Sequence, residues 1–333
     1  AGYCFGVRDA VKMAYDVAED EGDVYMLGDI VHNEKVVDDL SKAGAKVVES
    51  LDEVPDGKSV LFRAHGTKNE IWDEADKKGL NVKDATCPLV YKIHKDVKKL
   101  HSEKRKIIVI GDHGHDEVVA IADQAPGSIV IATPEEAMNM RRIRKAGIVS
   151  QSTQAIENVQ EIIKILMTKI FDLRFVNTIC YPTKRNQEQI KDLAKLVDVM
   201  IIIGSFTSAN SKRLTKMSKT INKRTYQVTC AKEIKVCWFD DCAKVGISAG
   251  ASTPDYLIED VANEIVQEAF IQIWCNSSQY NCNVAKPMTW MGSIVRYRAY
   301  DFVRKRSSRV EGALMPAEID DIDLIPQHLG DIA

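Results

Sequence analysis

Along roughly the first 260 residues, short runs of β-branched and apolar residues alternate with stretches whose apolar positions recur every third or fourth residue. "DVYMLGDIV", "AKVVES" and "SVLFRAHG" read as strands around the helical "NEKVVDDLSKAG". "RKIIVIGDHGH", "SIVIAT" and "AGIVSQST" repeat the theme around the helical "DEVVAIADQA", and "VDVMIIIGSFTSANSKRL", "TYQVTC" and "KVGISAGASTPDYLIEDV" present it a third time. Apolar strands that end in glycine and polar residues and then enter helices predict an α/β fold with parallel, doubly covered sheets. Three rounds of roughly 80–95 residues predict an internal threefold pseudo-repeat. The expected units are residues 1–90, 91–180 and 181–260, followed by a mostly helical segment over 261–311 and an acidic tail over 312–333.

In parallel α/β sheets, ligands gather past the carboxyl ends of the strands, where loops meet helix N-termini. Those places carry His32-Asn33, Ala64-His65-Gly66, "DATCP" (84–88), "GDHGHDE" (111–117), "SQST" (150–153), "ICYPT" (179–183), "GSFTSANS" (204–211) and "AGAST" (249–253). They could converge on one cavity if the three units face each other. The chain also opens on "AGYCFGVRDAVKMA", which sets Cys4 on a turn directly before a helix. A helix N-terminus is expected to lower a thiol's pKa and favour the thiolate, a nucleophile or metal ligand.

Composition adds limits. With 45% hydrophobic and 28% charged residues and a net charge of −3, the chain reads as ordinary globular protein, with no wholesale nucleic-acid or membrane partner. No apolar run reaches the roughly 18–20 residues a membrane span needs, and no leader pattern is visible, so the cytoplasm is the expected compartment. The eight cysteines are Cys4, Cys87, Cys180, Cys230, Cys237, Cys242, Cys275 and Cys282, with no C-x-x-C pair among them. In a reducing compartment they are free thiols or metal ligands rather than disulfides.

Cys4, Cys87 and Cys180 fall one per unit. They are either unrelated buried thiols or a metal centre held between units, and three thiolates on an iron–sulfur cluster would leave one iron open to polarise a substrate oxygen. His32, His65 and His115 are either capping residues or equivalent site residues. "GDHGHDE" groups His113, His115 and Glu117 as an exposed turn or as a proton relay. "GSFTSANSKRL" and "AGASTPDYL" suit anion cradles, although capping alone also accounts for Ser208, Asn210 and Ser252. Neither nucleotide-binding glycine fingerprint is present.

Taken in order, "GYCFGV", "VHN", "AHG", "DATCPLV", "GHDEV", "SQST", "ICYPT", "GSFTSANS" and "AGAST" resemble the 4-hydroxy-3-methylbut-2-enyl diphosphate reductases (the IspH or LytB family) over residues 1 to about 260. The resemblance implies three α/β units around a central 4Fe–4S cluster. It also implies reductive removal of an allylic hydroxyl to give isopentenyl and dimethylallyl diphosphate, the last step of the non-mevalonate isoprenoid pathway. By the same resemblance Cys4, Cys87 and Cys180 are the cluster ligands and Glu117 is the proton donor, with His115 beside it. His32, His65, Ser208, Asn210 and Ser252 hold the substrate's diphosphate end, His115 also contacts the substrate, and Ser152 stands near the substrate hydroxyl. The implied partners are the small diphosphate substrate and an electron donor such as ferredoxin or flavodoxin. Ser152 stands where the family usually has threonine, and Ala209 where a second serine is common. The chain begins at Ala1, where the family has a strand before its first cysteine. The remaining five cysteines are expected to have no role in binding iron.

Past residue 260 the pattern changes. "NEIVQEAFIQIWCNSSQYNCNVAKPMTWMGSIVRYRAYDFVRKRSSRVEG" resembles region two of an extracytoplasmic-function sigma factor. Arg296, Arg298, Arg304, Lys305, Arg306 and Arg309 interleave with Trp290, Tyr297, Tyr300 and Phe302, a mixture that suits single-stranded nucleic acid. The blander reading is an amphipathic tail with a solvated basic face. A rival function is therefore a DNA-binding regulator with an iron–sulfur sensing scaffold. The acid and phosphate loops favour the enzyme, because a sensor needs neither.

Overall fold

The structure, a computed structural model, describes residues 2–275 apart from positions 23, 240, 241 and 243, together with 277, 280, 286 and 287. The basic and aromatic residues of the sigma-like segment, from Trp290 to Arg309, lie outside the described residues, as does the acidic tail. The chain divides into a compact unit, Ala1–Glu268, and a second, Ala269–Ala333. All the described sheets belong to the first.

Three parallel sheets repeat one topology. The first contains β1 (Val24–Leu27), β2 (Ala45–Val48), β3 (Ser59–Phe62) and β4 (Asn81–Asp84) in the order β2-β1-β3-β4. The second contains β5 (Lys106–Ile110), β6 (Ile129–Ile131), β7 (Ile143–Ser150) and β8 (Ile170–Phe175) in the matching order β6-β5-β7-β8. The third contains β9 (Val199–Ile203), β10 (Thr225–Val228) and β11 (Val245–Ala249) in the order β10-β9-β11. Each sheet starts at an inner strand, adds the next strand on one side and then crosses to the other. The switch point, where loops part in opposite directions and leave a crevice, therefore lies between the first and third strand of every sheet.

The strand sequences explain their places. β9 is buried at all five positions, as its unbroken Val-Met-Ile-Ile-Ile requires of a central strand covered on both faces. β4 ("NVKD") and β8 ("IFDLRF") were not foreseen as strands. Both are edges, largely half-exposed and partly polar, so they lack the continuous apolar run that marks the central strands.

Three helices join the sheets into a ring. In α1 (Phe5–Glu21), Ala10, Val11, Ala14, Val17 and Ala18 fall on one face at helical spacing and pack with Val24 and Met26 of the first sheet. In α4 (Pro88–Ser102), Ile93, Val97 and Leu100 pack with Ile107, Val109 and Val149 of the second. In α8 (Tyr181–Leu196), Ile190 and Ala194 pack with Met200 and Ile202 of the third. The N-terminus of each is held by a different sheet from the one it covers. The Cys4 N–H donates to Ala251 O after β11 (3.1 Å), Cys87 N–H to Ala64 O after β3 (3.0 Å), and Cys180 N–H to Ser152 O after β7 (2.9 Å). Each helix thus leaves one sheet's third-strand loop and packs on the next sheet, and the three links close a cycle.

Side chains reinforce the joints. Asn33 caps α2 (Glu34–Lys42) by accepting from the amides of Lys35 (3.1 Å) and Val36 (3.3 Å), while its Nδ2 donates to Ser252 O in the third unit (2.8 Å). Glu34 accepts from Ser205 Oγ (2.7 Å) and Thr207 Oγ1 (3.0 Å). Because Asn33 is buried and spends both ends of its amide, Asn33→Ala is expected to cost about 1–2 kcal/mol, as lost helix caps do. Chemical denaturation measures it, and an unchanged midpoint would show that the joint carries no stability.

Candidate active site

The site is assembled by helix N-termini. Cys4, Cys87 and Cys180 are the residues immediately before α1, α4 and α8. His115 precedes α5 (Asp116–Asp123), and Ser208 precedes α9 (Ala209–Ile221). His32 lies two residues before α2. Cys4, Cys87, Cys180, His32, His65, His115, Glu117, Ser152, Ser208, Asn210 and Ser252 all line one central cavity, with Thr153, Phe5 and Gly6 beside them. Cys230, Cys237 and Cys242 do not line it; the side chains of Cys275 and Cys282 lie outside the described residues. His113 also turns away, bonding Glu136 at the surface (2.9 Å) rather than joining His115 and Glu117.

Charge sets four of these helices apart from the rest. α1, α4, α8 and α9 carry no acidic residue in the first turn. By contrast α2, α3 (Asn69–Lys77), α6 (Pro134–Asn139), α7 (Ile156–Met167) and α10 (Asp255–Cys275) each carry at least one. Acidic residues usually settle at helix N-termini because the macrodipole favours them there. Their absence from α1, α4, α8 and α9 leaves four positive helix ends free for an anion or for thiolates, while α5 brings Asp116 and Glu117 and α2 brings Glu34.

Gly6 lets the thiols approach. A Cβ at that position would stand 2.4 Å from Cys87 Sγ, so any larger residue would displace the sulfur. Cys180 Sγ lies 3.0 Å from Thr183 Oγ1. The sequence reading expected helix N-termini to lower the thiol pKa values, but all three are raised. Burial pushes the Cys4 thiol up to about 11, backbone N–H groups of Val7 and Gly6 offset part of this, and the other two cysteines add repulsion. Burial is also the leading cause at Cys87 and Cys180. Desolvation outweighs the dipoles, so in the protein alone these sulfurs are protonated.

Glu117 is buried in the first turn of α5 and accepts twice from one residue, from Ser152 N–H at Oε1 (2.6 Å) and from Ser152 Oγ–H at Oε2 (2.9 Å). Burial raises its pKa, and the two bonds from Ser152, which favour the carboxylate, hold back part of the rise. His115 Nδ1 accepts from the Glu117 amide (3.2 Å), which leaves Nε2 as the protonated nitrogen of the neutral ring. Burial lowers the His115 pKa to about 4 and also lowers those of His32 and His65. The His32 and His65 rings stack with centroids 4.3 Å apart.

Three buried polar atoms among the lining residues have no hydrogen-bond partner: His32 Nε2, His65 Nδ1 and Asn210 Nδ2. Leaving such atoms bare is costly, so the three mark a place for a polar ligand. A second layer was missed in the sequence. Arg63 pairs with Asp116 and donates to Leu27 O (3.1 Å), and Arg213 reaches from α9 to Thr153 O (3.1 Å) and to Asp112. The signal available was an arginine three residues after Asn210, on the same helix face.

The fold and site define an α/β protein with a three-thiol centre, a buried acid and an anion cradle in one cavity. The chain belongs to the LytB protein family, whose model matches residues 1–266. It is similar to the 4-hydroxy-3-methylbut-2-enyl diphosphate reductase of Geobacter metallireducens, 42% identical over 80% of this chain and 94% of that protein. The Geobacter sulfurreducens enzyme of the same name is 40% identical over the same shares. Among solved structures, the E-1-hydroxy-2-methyl-but-2-enyl-4-diphosphate reductase from Plasmodium falciparum superposes with a TM-score of 0.77 at 28% identity, over 80% of this chain and 85% of that one. A structure of (E)-4-hydroxy-3-methyl-but-2-enyl diphosphate reductase superposes with a TM-score of 0.60 at 39% identity, over 80% and 96%. A second family, Sigma-70 region 2, matches residues 259–309. Both matches include residues 259–266, in the first half of α10.

The buried thiols yield a direct expectation. In the metal-free protein, Cys4 should alkylate slowly near neutral pH, with a rate that keeps climbing well past the ~8.5 midpoint of an ordinary thiol. Rapid iodoacetamide labelling of Cys4 at neutral pH, read by mass spectrometry, would contradict the burial that raises its pKa.

Proposed function

We propose that the protein removes the allylic hydroxyl of (E)-4-hydroxy-3-methylbut-2-enyl diphosphate reductively, giving isopentenyl diphosphate and dimethylallyl diphosphate. The observation that carries the reading is the single cavity in which three helix-capping thiols face a buried carboxylate and three unpartnered polar atoms. The C–O bond breaks, a C–H bond forms and water leaves, which consumes two electrons and two protons.

The donor set fits a 4Fe–4S cluster: three soft thiol ligands, each presented by a positive helix end, with Gly6 clearing space at Cys87. Bound by Cys4, Cys87 and Cys180, that cluster supplies the electrons and a Lewis-acidic iron. The protein's own residues supply the rest. The N-termini of α9 and of the His32, His65 and His115 loops receive the diphosphate, with Asn210 Nδ2 and the imidazoles losing their unpaired state to phosphate oxygens. Ser208 and Ser252 shape this cradle. Glu117, protonated to higher pH than an exposed carboxyl, gives its proton to the departing oxygen, and Ser152 fixes its orientation.

We assign electron delivery to a small one-electron carrier such as ferredoxin or flavodoxin, and the reaction to the cytoplasm, where reduced thiols persist. Among the described residues no helix is long and apolar enough to cross a membrane.

Anaerobic reconstitution with iron and sulfide should give a protein that oxidises a reduced viologen only when substrate is added. Cys87→Ser should abolish iron retention, and a normal iron content would sink its assignment as a ligand. Glu117→Gln should keep the iron and lower kcat by about 10²–10⁴-fold. A proton donor acts only while protonated, so turnover falls as pH rises through the Glu117 pKa. Ser152→Ala removes the hydroxyl bond to Glu117 Oε2, one of the two that favour the carboxylate, and leaves the amide bond in place, so it should move that alkaline limb to higher pH while lowering kcat. A shift to lower pH would overturn the Glu117–Ser152 assignment.

A further inference from the structure

Glu117 and the serine that orients it follow adjacent strands of the second sheet, β5 and β7, whose pairing of Ile110 with Ser150 ends with the Gln151 N–H on Ile110 O (2.8 Å), so the loops beyond are joined by side chains. The loop after β5 runs from Gly111 to His115 and delivers Glu117; the loop after β7 carries Gln151, Ser152 and Thr153. One side chain from the third unit touches both. Arg213 Nη2 pairs with Asp112 Oδ2 on the first loop, and Nη1 donates to Thr153 O (3.1 Å) and Thr153 Oγ1 (3.3 Å) on the second. Nη2 also donates to Gln151 Oε1 (3.3 Å), which accepts from the Asp112 amide (3.1 Å). At Gly111 a Cβ would stand 3.1 Å from Gln151 Cβ and 3.2 Å from Gln151 Oε1, so the two loops pass as closely as a glycine allows.

We propose that Arg213 is the positioning residue of the buried acid: it fixes the spacing of the two loops, and with it the paired hydrogen bonds between Glu117 and Ser152. The inference rests on the acid role given to Glu117 above. A planar guanidinium can satisfy a carboxylate and a carbonyl at once in a fixed fork, which a lysine cannot. The Arg213 side chain is 14% exposed, so these bonds are shielded from solvent on that side. Arg213 also stands one helical turn beyond Asn210, whose bare Nδ2 lies in the anion cradle. The helix that receives the ligand therefore grips the acid's two loops directly.

A plain strut between units would predict lost stability and nothing specific to Glu117, and the experiment separates the two. In the reconstituted protein, Arg213→Gln should keep its iron and lower kcat about 10–100-fold with KM little changed, as small misplacements of catalytic groups do. Arg213→Lys should fall between. In a Glu117→Gln background, Arg213→Gln should cost nothing further. The Ser152 amide, a donor to Glu117, should exchange its hydrogen about tenfold faster in Arg213→Gln, with amides of the first sheet unaffected. An unchanged kcat, the same fractional loss in both backgrounds, or unaltered Ser152 exchange would each overturn the proposal. Should Arg213→Gln lose its iron or fold, Asp112→Asn releases the same loop from a half-exposed carboxylate and is read by the same criteria. If the wild-type protein fails to turn over the diphosphate, the functional reading fails, while the exchange measurement still decides whether Arg213 sets the Glu117–Ser152 bonds.

Discussion

Everything at the centre of this molecule depends on the free positive ends of helices. A helix N-terminus offers about half a unit charge and several unpaired N–H groups, worth roughly 0.3–1 kcal/mol to a nearby anion and up to ~2 where partly buried. Four such ends face the cavity with no acid in their first turns, and a fifth, α5, places the buried Glu117 in its first turn. The magnitudes decide how far this goes. Like charges about 4 Å apart repel by roughly 4 kcal/mol at an effective dielectric of ~20, before desolvation is counted. The dipoles therefore soften the cost of three buried thiolates without cancelling it, and burial still pushes the Cys4 thiol up to about 11. A group that brought cations to the three sulfurs would complete the balance.

The same helices solve a mechanical problem. A cavity shared by three sheets loosens if any sheet drifts, and loops alone would not prevent it. Here each cysteine-capped helix is hydrogen-bonded at its first residue to one sheet's loop and buried along its length against the next. A displaced sheet would move a cavity cysteine and break a core at once. The cycle has no free end, so the geometry of the thiols is tied to the packing of the entire Ala1–Glu268 unit.

How much of this was readable from the chain follows from the physics. The central strands were legible because doubly covered parallel strands must be apolar throughout, as Val199–Ile203 is. The lining residues were legible because parallel sheets place loops and helix starts at one end, and the motifs occupy those positions in order. β4 and β8 were not, since half-exposed edges need no hydrophobic run. The rise in thiol pKa was misjudged because burial is a property of three units together, whereas capping is local. Arg213 was missed for a similar reason: its partners, Asp112 and Thr153, are 101 and 60 residues away.

Among the described residues, no lysine or arginine lines the cavity. Arg63 and Arg213 lie close by, yet each is committed to an aspartate, and the histidines are kept neutral by burial. A diphosphate bound here would be held by helix ends, neutral imidazole N–H groups and an amide rather than by free lysines or arginines. Binding of this kind is directional, since each donor has one useful line of approach, whereas a point charge has none. It also leaves the field near Glu117 less positive than a lysine-lined pocket would. A strongly positive pocket would stabilise the carboxylate and pull the proton off. Holding an anion with dipoles instead of charges would let it share the cavity with a carboxyl whose pKa burial has raised.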